Sequence, residues 1–329
     1  MTELSYPDVE AAAARIAGRI RPVTVTSAQP GKPHGSGLHF ALEFMQHTGT
    51  FKARGAQNFI RAHLADGTFP EAGVTIASGG NAGLACAWAA REAGVPATVF
   101  LPTTAPMVKV ERLRSYGAEV VLVGDEYAEA AAACRSFVET SGALSSHAYD
   151  HPLIAAGAGT LMTEILEQVP DLDTVVVSVG GGGLFAGVAT AAAHHGVRTV
   201  AVEPENCRAL GAALEAGEPV DVTVDSVAAD SLGARRVTPL ALDAAQSDLV
   251  TSVLVSDDAI IGARHHLWDD HRLAVEHAAA TALAGVRGAG DSATEVDGNV
   301  DGTTGGYVSA DEEKVCVVLC GANTDLGDL

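Results

Sequence analysis

The sequence predicts an α/β protein of two units, each with its own mainly parallel sheet flanked by helices. Three observations predict it. The 329-residue, 33.4 kDa chain is too long for one small domain. Short β-branched runs alternate with alanine-rich helical stretches along most of its length, which is the signature of right-handed βαβ crossovers. Finally, 47% of the residues are hydrophobic and 19% charged, enough to bury a large core.

Taken in order, residues 7–20 carry Val9, Ala12, Ala13, Ile16 and Ile20 at helical spacing. LHFALEFM (38–45) reads as a strand, and a polar QHTGT turn leads into a helix from Phe51 to about His63. VTIAS, PATVFLP and AEVVLVG then each precede a helical run, giving βαβαβα. A helix over 157–169, the strand TVVVSVG (174–180), a glycine run with a helix, and the strand TVAVEPE (199–205) follow. A Pro/Gly/acid-rich stretch (216–240) precedes VTSVLVSDDAIIGARHHLWDDH, a helix to about 285 and a last strand, VCVVLCG (315–321). The expected division is a large unit of residues 1–60 plus 150–329, with 61–149 inserted as a smaller α/β unit.

Charge and composition exclude several classes. The net charge of −21 repels phosphodiester backbones and anionic lipid, so neither nucleic acid nor a membrane surface is an expected partner. Five cysteines, an odd number without a CxxC pair, argue against a disulfide framework or zinc knuckle. No signal-peptide core or membrane span is visible, and a cytoplasmic enzyme is expected. Within the acidic, glycine-rich stretch 286–313, Asp297, Asn299, Asp301 and Gly302 match the first half of a calcium loop. Val308 stands where the closing glutamate is needed, so no calcium site is expected. His265, His266, Asp269, Asp270 and His271 lack an HExxH arrangement and read as a solvated helical face.

Three segments carry chemistry. In Thr48-Gly49-Thr50-Phe51-Lys52-Ala53-Arg54-Gly55 a lysine stands at a helix start directly after a glycine turn. In a cleft, desolvation and the helix dipole would lower its pKa toward the neutral amine that forms a Schiff base; taken alone, it reads as an ordinary solvated lysine. Ser78-Gly79-Gly80-Asn81-Ala82-Gly83 follows a strand and opens a helix, so its bare amides suit a carboxylate or phosphate, or merely a tight turn. Gly180-Gly181-Gly182-Gly183-Leu184 carries the entropic cost of four glycines in a row, which a phosphate cradled by backbone N–H groups best explains. Glu203 ends the next strand about where a ribose-binding acid would sit, but no GxGxxG or P-loop spacing is present. A lysine, a carboxylate-sized turn and a phosphate cup together are the parts that hold pyridoxal phosphate and an amino acid.

From about residue 38 onward, T-F-K-A-R-G-A, S-G-G-N-A-G-L-A, G-G-G-G-L and C-G-A-N resemble, in order, the motifs of fold-type II pyridoxal-phosphate enzymes. The most similar branch is the L-serine/L-threonine dehydratases (ammonia-lyases). The resemblance implies a tryptophan-synthase-β-like fold and elimination of water and ammonia from L-threonine and/or L-serine to a 2-oxo acid. It also implies a homodimer or homotetramer, and leaves room for a monovalent cation held by carbonyls. It makes Lys52 the Schiff-base lysine and acid/base catalyst, with Phe51 beside the cofactor ring and Asn81 on its 3′-oxygen. Gly180, Gly181, Gly182, Gly183 and Leu184 would bind its phosphate, Glu276 would lie near it, and Cys320 would face the pyridine nitrogen. Ser78, Gly79, Asn81 and Ala82 would surround the substrate carboxylate. Serine racemases of the family carry a proton-bearing serine where this chain has Gly79, which makes racemisation the lesser reading. Members with a divalent metal place an acid where this chain has Ala209. His277 replaces the proline after Glu276, Ala229-Asp230-Ser231 replaces A-D-G, and Gly157-Ala158-Gly159-Thr160 replaces G-Q-G-T. These leave the substrate side chain open, with hydroxyaspartate or another β-hydroxy amino acid as alternatives. A non-enzymatic amino-acid-binding protein has no need of a lysine opposite a phosphate cup.

Overall fold

A computed structural model describes residues 4–28, 37–286 and 306–328. Helix α1 (Tyr6–Ile16) precedes strands β1 (Val25–Ser27) and β2 (Leu38–Ala41), a 3-10 turn at Glu43–Met45 and helix α2 (Lys52–Ala65). Strand β3 (Val74–Ala77), α3 (Asn81–Ala93), β4 (Ala97–Leu101), α4 (Met107–Ser115), β5 (Glu119–Leu122), α5 (Tyr127–Ser141) and β6 (Leu144–Ser145) then alternate. They form a four-stranded parallel sheet in the order β5-β4-β3-β6. The chain continues through α6 (Pro152–Gln168), β7 (Thr174–Ser178), α7 (Gly183–His194) and β8 (Arg198–Pro204). After α8 (Ala209–Ala216), α9 (Ala229–Leu232) and α10 (Pro239–Ala245) come β9 (Val250–Val255), α11 (Asp257–His271), α12 (His277–Ala284) and β10 (Val315–Val318).

The second sheet has six strands in the order β1-β2-β10-β7-β8-β9, parallel throughout except for β1 on β2. Strands β7 and β10 are buried at every residue, as a sheet covered on both faces requires. Their continuous apolar runs, Val175–Val177 and Val315–Val318, rather than alternation, carry that burial. Helices α6 and α7 pack backbone to backbone: a Cβ on Gly187 would lie 2.1 Å from the Ala155 carbonyl oxygen. Because β10 pairs with β2, the C-terminal strand returns beside the segment that leads into α2. That pairing brings positions 52 and 320 together.

Several element limits differ from the sequence expectation. α1 ends at Ile16, where Ala17 leaves helical geometry and Gly18 takes a φ of +69°. The strand expected over 38–45 stops at Ala41, because the chain turns to sink the Glu43 carboxylate against Arg54. α6 begins five residues earlier than expected, with Pro152 in its first turn and the His151 ring accepting from the Leu153 amide. The helix expected to 285 is two helices, broken by Arg272 at a φ of +58°. α2 runs across the expected 60/61 boundary and packs against both α6 and α3. The partial calcium motif at 297–302 lies outside the described residues; Val308 is exposed.

Candidate active site

Lys52 is placed by backbone pairing rather than by side-chain contacts. The Phe51 amide donates to the Cys320 carbonyl at 3.0 Å, and Thr50 bridges Gly321, so the first turn of α2 is tied to the end of β10. Gly49, at a φ of +75°, makes the turn that allows it. Lys52 is half-buried by area, yet its amine is well enclosed: Nζ donates to the Ala148 carbonyl at 3.2 Å and sits 4.7 Å from the Phe51 ring centroid. Burial lowers its pKa to about 8, against the opposing pull of Cys320 and Glu276. The Cys320 thiol is itself pushed up to about 12 by burial, with Glu276 adding to the shift, so it stays neutral. Its sulfur lies 3.7 Å from the Ser178 hydroxyl at the end of β7.

Glu276, at the start of α12, is buried and its pKa is raised by desolvation. Asn81, the first residue of α3, donates to both of its oxygens at 2.9 and 3.0 Å. The Asn323 amide adds a third bond at 2.9 Å, while its side chain donates to Asn81 Oδ1 and to the Thr48 carbonyl, both at 2.8 Å. Asn81 is therefore directed at Glu276 here, and bonding a cofactor oxygen requires one of its N–H groups to turn. The Thr48 and Thr50 hydroxyls beside this node are buried without a hydrogen-bond partner.

Beyond β7 the chain passes into α7 through Gly180–Gly183, with Leu184 buried in the first turn. Gly182 has a φ of +92°, and a Cβ there would lie 2.3 Å from the Ala241 methyl; one on Gly181 would lie 2.3 Å from the Tyr149 ring. Only bare backbone fits this bend, and the free amides of the α7 N-terminus point out of it. On the opposite side the Ser78–Asn81 turn opens α3, with Ser78 and Gly79 half-buried and Ala82 lining the same cavity as Lys52. Gly83 is required because a Cβ would sit 1.8 Å from the Ser78 carbonyl oxygen.

The fold thus gathers Phe51, Lys52, Asn81, Ala82, Glu276 and Cys320 around one cleft, with the tetraglycine bend and the Ser78 turn at its edges. The residues fit pyridoxal phosphate: an amine of lowered pKa, a neutral thiol and a cup that no side chain could share. Asn323, Ser178, His147 and Ala148 also belong here, although the sequence reading assigned them no role. Asn323 lies within the C-G-A-N motif, so its signal was present; the other three had none. Glu203 serves elsewhere. Its buried carboxylate accepts the Leu210 and Gly211 amides at 2.7 and 2.8 Å and is pushed up to about 7. His266 pairs with Asp270 at 2.6 Å on α11, and among the described residues no cluster of three or more His, Cys, Asp or Glu could hold a metal ion.

Residues 17–321 match the family described as pyridoxal-phosphate dependent enzyme. Over 284 residues, 85% of this chain and 70% of the relative, it is 36% identical to an L-threonine ammonia-lyase of Geobacter sulfurreducens. It is also 36% identical over 335 residues to a phenylserine dehydratase of Ralstonia pickettii, covering 99% of this chain and 97% of the relative. A maize serine racemase structure superposes with a TM-score of 0.84 at 30% identity, covering 99% of this chain and 95% of the racemase. Motif order, fold and these likenesses converge: the chain belongs to the pyridoxal-phosphate-dependent enzymes of fold type II, in the branch of the threonine and serine ammonia-lyases.

Proposed function

We propose that this protein eliminates the β-hydroxyl of L-threonine and/or L-serine to give a 2-oxo acid and ammonium. The observation that carries the proposal is the Lys52 amine of lowered pKa, enclosed within electrostatic reach of Cys320 and Glu276. Pyridoxal phosphate, when bound, supplies an aldehyde for the amino group and an electron sink for the bond that breaks at Cα. Lys52 takes and returns the proton at Cα, and its amine is neutral often enough near pH 8 to do so. The Ser78–Ala82 turn binds the substrate carboxylate at the α3 N-terminus. Gly180–Leu184 would hold the phosphate and Phe51 would lie beside the ring, while Asn81, Glu276 and Asn323 are hydrogen-bonded to one another within the site. Cys320, its thiol kept neutral by burial, would supply no charge to hold a proton on the cofactor's ring nitrogen, chemistry that would suit loss of a β-leaving group. Gly79 offers no proton on the opposite face, which supports elimination over racemisation.

A second substrate reading is favoured by the near-complete alignment with the phenylserine dehydratase: a β-hydroxy amino acid bearing an aryl group. We assign the protein to the cytoplasm, a reading supported by five buried free thiols, and to a homodimer or homotetramer. No helix among the described residues is long and apolar enough to cross a membrane. A monovalent cation held by carbonyls would appear as potassium-dependent activity. The test is a panel of L-serine, L-threonine, 3-phenylserine and 3-hydroxyaspartate, with ammonium, 2-oxo acid and product chirality measured together. Ammonium release from at least one is expected, and Lys52→Ala should lower it at least about a hundredfold while removing the visible absorption. No ammonium from any member, or D-serine forming as fast as 2-oxo acid, would overturn the reading.

A further inference from the structure

The cavity beside Lys52 is walled almost entirely by carbon. Apart from Lys52 itself, Ser146 and His147, its lining consists of Gly, Ala, Ile and Phe residues. A β-hydroxyl entering such a wall needs a hydrogen-bond partner or loses the bonds it made to water. Ser146 is buried, and its hydroxyl is engaged by the Cys86 thiol. Among the described residues lining this cavity, His147 is the polar side chain that remains.

Its tautomer follows from geometry. Nδ1 accepts the backbone amides of Tyr149 at 3.3 Å and Asp150 at 2.8 Å, so it carries no proton and the hydrogen of the neutral ring is on Nε2. The Tyr149 ring stands edge-on at 4.9 Å and holds the imidazole plane. The same imidazole lines an outer cleft of about 530 Å³ with Tyr149, Arg236 and Thr238, so it forms part of the wall of both that cleft and the Lys52 cavity. Burial lowers its pKa, Asp150 opposing and the Lys52 charge adding to the shift, so the enclosure favours the neutral ring.

We infer that the His147 imidazole, fixed in its Nε2–H form by two backbone amides, is the specificity-determining donor that recognises the β-hydroxyl of the substrate. This rests on the elimination proposed above and deepens it. The pocket selects amino acids with a β-oxygen over those with hydrogen or alkyl there, because a fixed donor is left unpaired by the latter.

The test uses holoenzyme and two leaving groups. In His147→Leu, kcat/KM for the preferred β-hydroxy substrate should fall about ten- to a hundredfold, while that for β-chloro-L-alanine, whose chloride leaves without a donor, should change by less than about threefold. His147→Gln, which keeps an N–H donor, should recover part of the loss. Independently of turnover, 15N NMR of the histidine-labelled protein should show unprotonated Nδ1 and protonated Nε2 for His147 from pH 6 to 8, while visible absorption and melting of His147→Leu match the parent. Equal losses on both leaving groups, no loss on either, or a protonated Nδ1 would overturn the inference and leave the proposed function standing. A parent enzyme inert toward every β-hydroxy amino acid would overturn both.

Discussion

An ordinary lysine, with a pKa near 10.5, is almost fully protonated at neutral pH and a poor partner for an aldehyde. Lys52 departs from that because its ammonium form loses hydration on entering the cleft, and the nearby Cys320 and Glu276 return only part of the loss. The neutral fraction therefore passes one half near pH 8. Reconstitution of apoprotein with pyridoxal phosphate, followed by visible absorbance, should accelerate between pH 7 and 9 with a midpoint near 8. A midpoint above 10 would show the amine solvated. The stability sign follows from the same shift. Between about pH 8 and 10.5 the unfolded chain binds more protons at this residue than the folded chain, so its contribution to apoprotein stability rises with pH across that window.

At the scale of elements, two devices hold the site, and both resist substitution for identifiable reasons. The tetraglycine bend leaves no room for a side chain: Gly182→Ala adds a left-handed backbone penalty to a 2.3 Å collision with Ala241. Cofactor affinity, read by equilibrium dialysis, should fall at least about tenfold while the apoprotein remains folded. Unchanged affinity would remove the bend from the cofactor site. The second device anchors α2. Arg54, fully buried two residues after Lys52, pairs bidentately with Glu43 at 2.7 and 2.9 Å and with Glu164 at 2.7 and 2.8 Å, and bonds Thr160 at 3.1 Å. Burial raises the Glu43 pKa while the guanidinium opposes it. Arg54→Ala would strand the Glu43 carboxylate in the interior, at a cost of about 3–5 kcal/mol. A urea midpoint within experimental error of the parent would show the network dispensable.

Across the whole molecule the six-stranded and four-stranded sheets belong to separate parts of the chain joined through few charged contacts. Among the described residues, Lys109 on α4 and Asp230 on α9 form the salt bridge joining the small-sheet unit to the large one, at 3.6 Å and with both side chains exposed. Such a pair contributes at most about 1 kcal/mol. The net charge of −21 acts over longer distances and opposes compaction. Raising ionic strength from about 0.01 to 0.15 M shortens the screening length from about 30 to 8 Å. Relief of self-repulsion should outweigh the weakened surface pair, so the melting temperature should rise. A fall would mean that exposed ion pairs, rather than like-charge repulsion, dominate the surface electrostatics.

Local pattern alone determined the alternation of strands and helices, the two parallel sheets, and the lysine, asparagine turn and glycine run at helix starts. Each is encoded within a dozen residues, where periodicity and backbone freedom act directly. The break at Ala41 and the early start of α6 escaped that reading, because a buried Arg54–Glu43 pair and an imidazole cap at His151 override local propensity. Tertiary structure alone decided which polar groups meet. Lys52 reaches Ala148, Asn81 reaches Glu276, and Asn323 closes on Asn81 across separations of 96, 195 and 242 residues. Nothing in a window of sequence specifies such pairings. β10 folds back between β2 and β7, which sets Asn323 and the Cys320 end of that strand beside the start of α2.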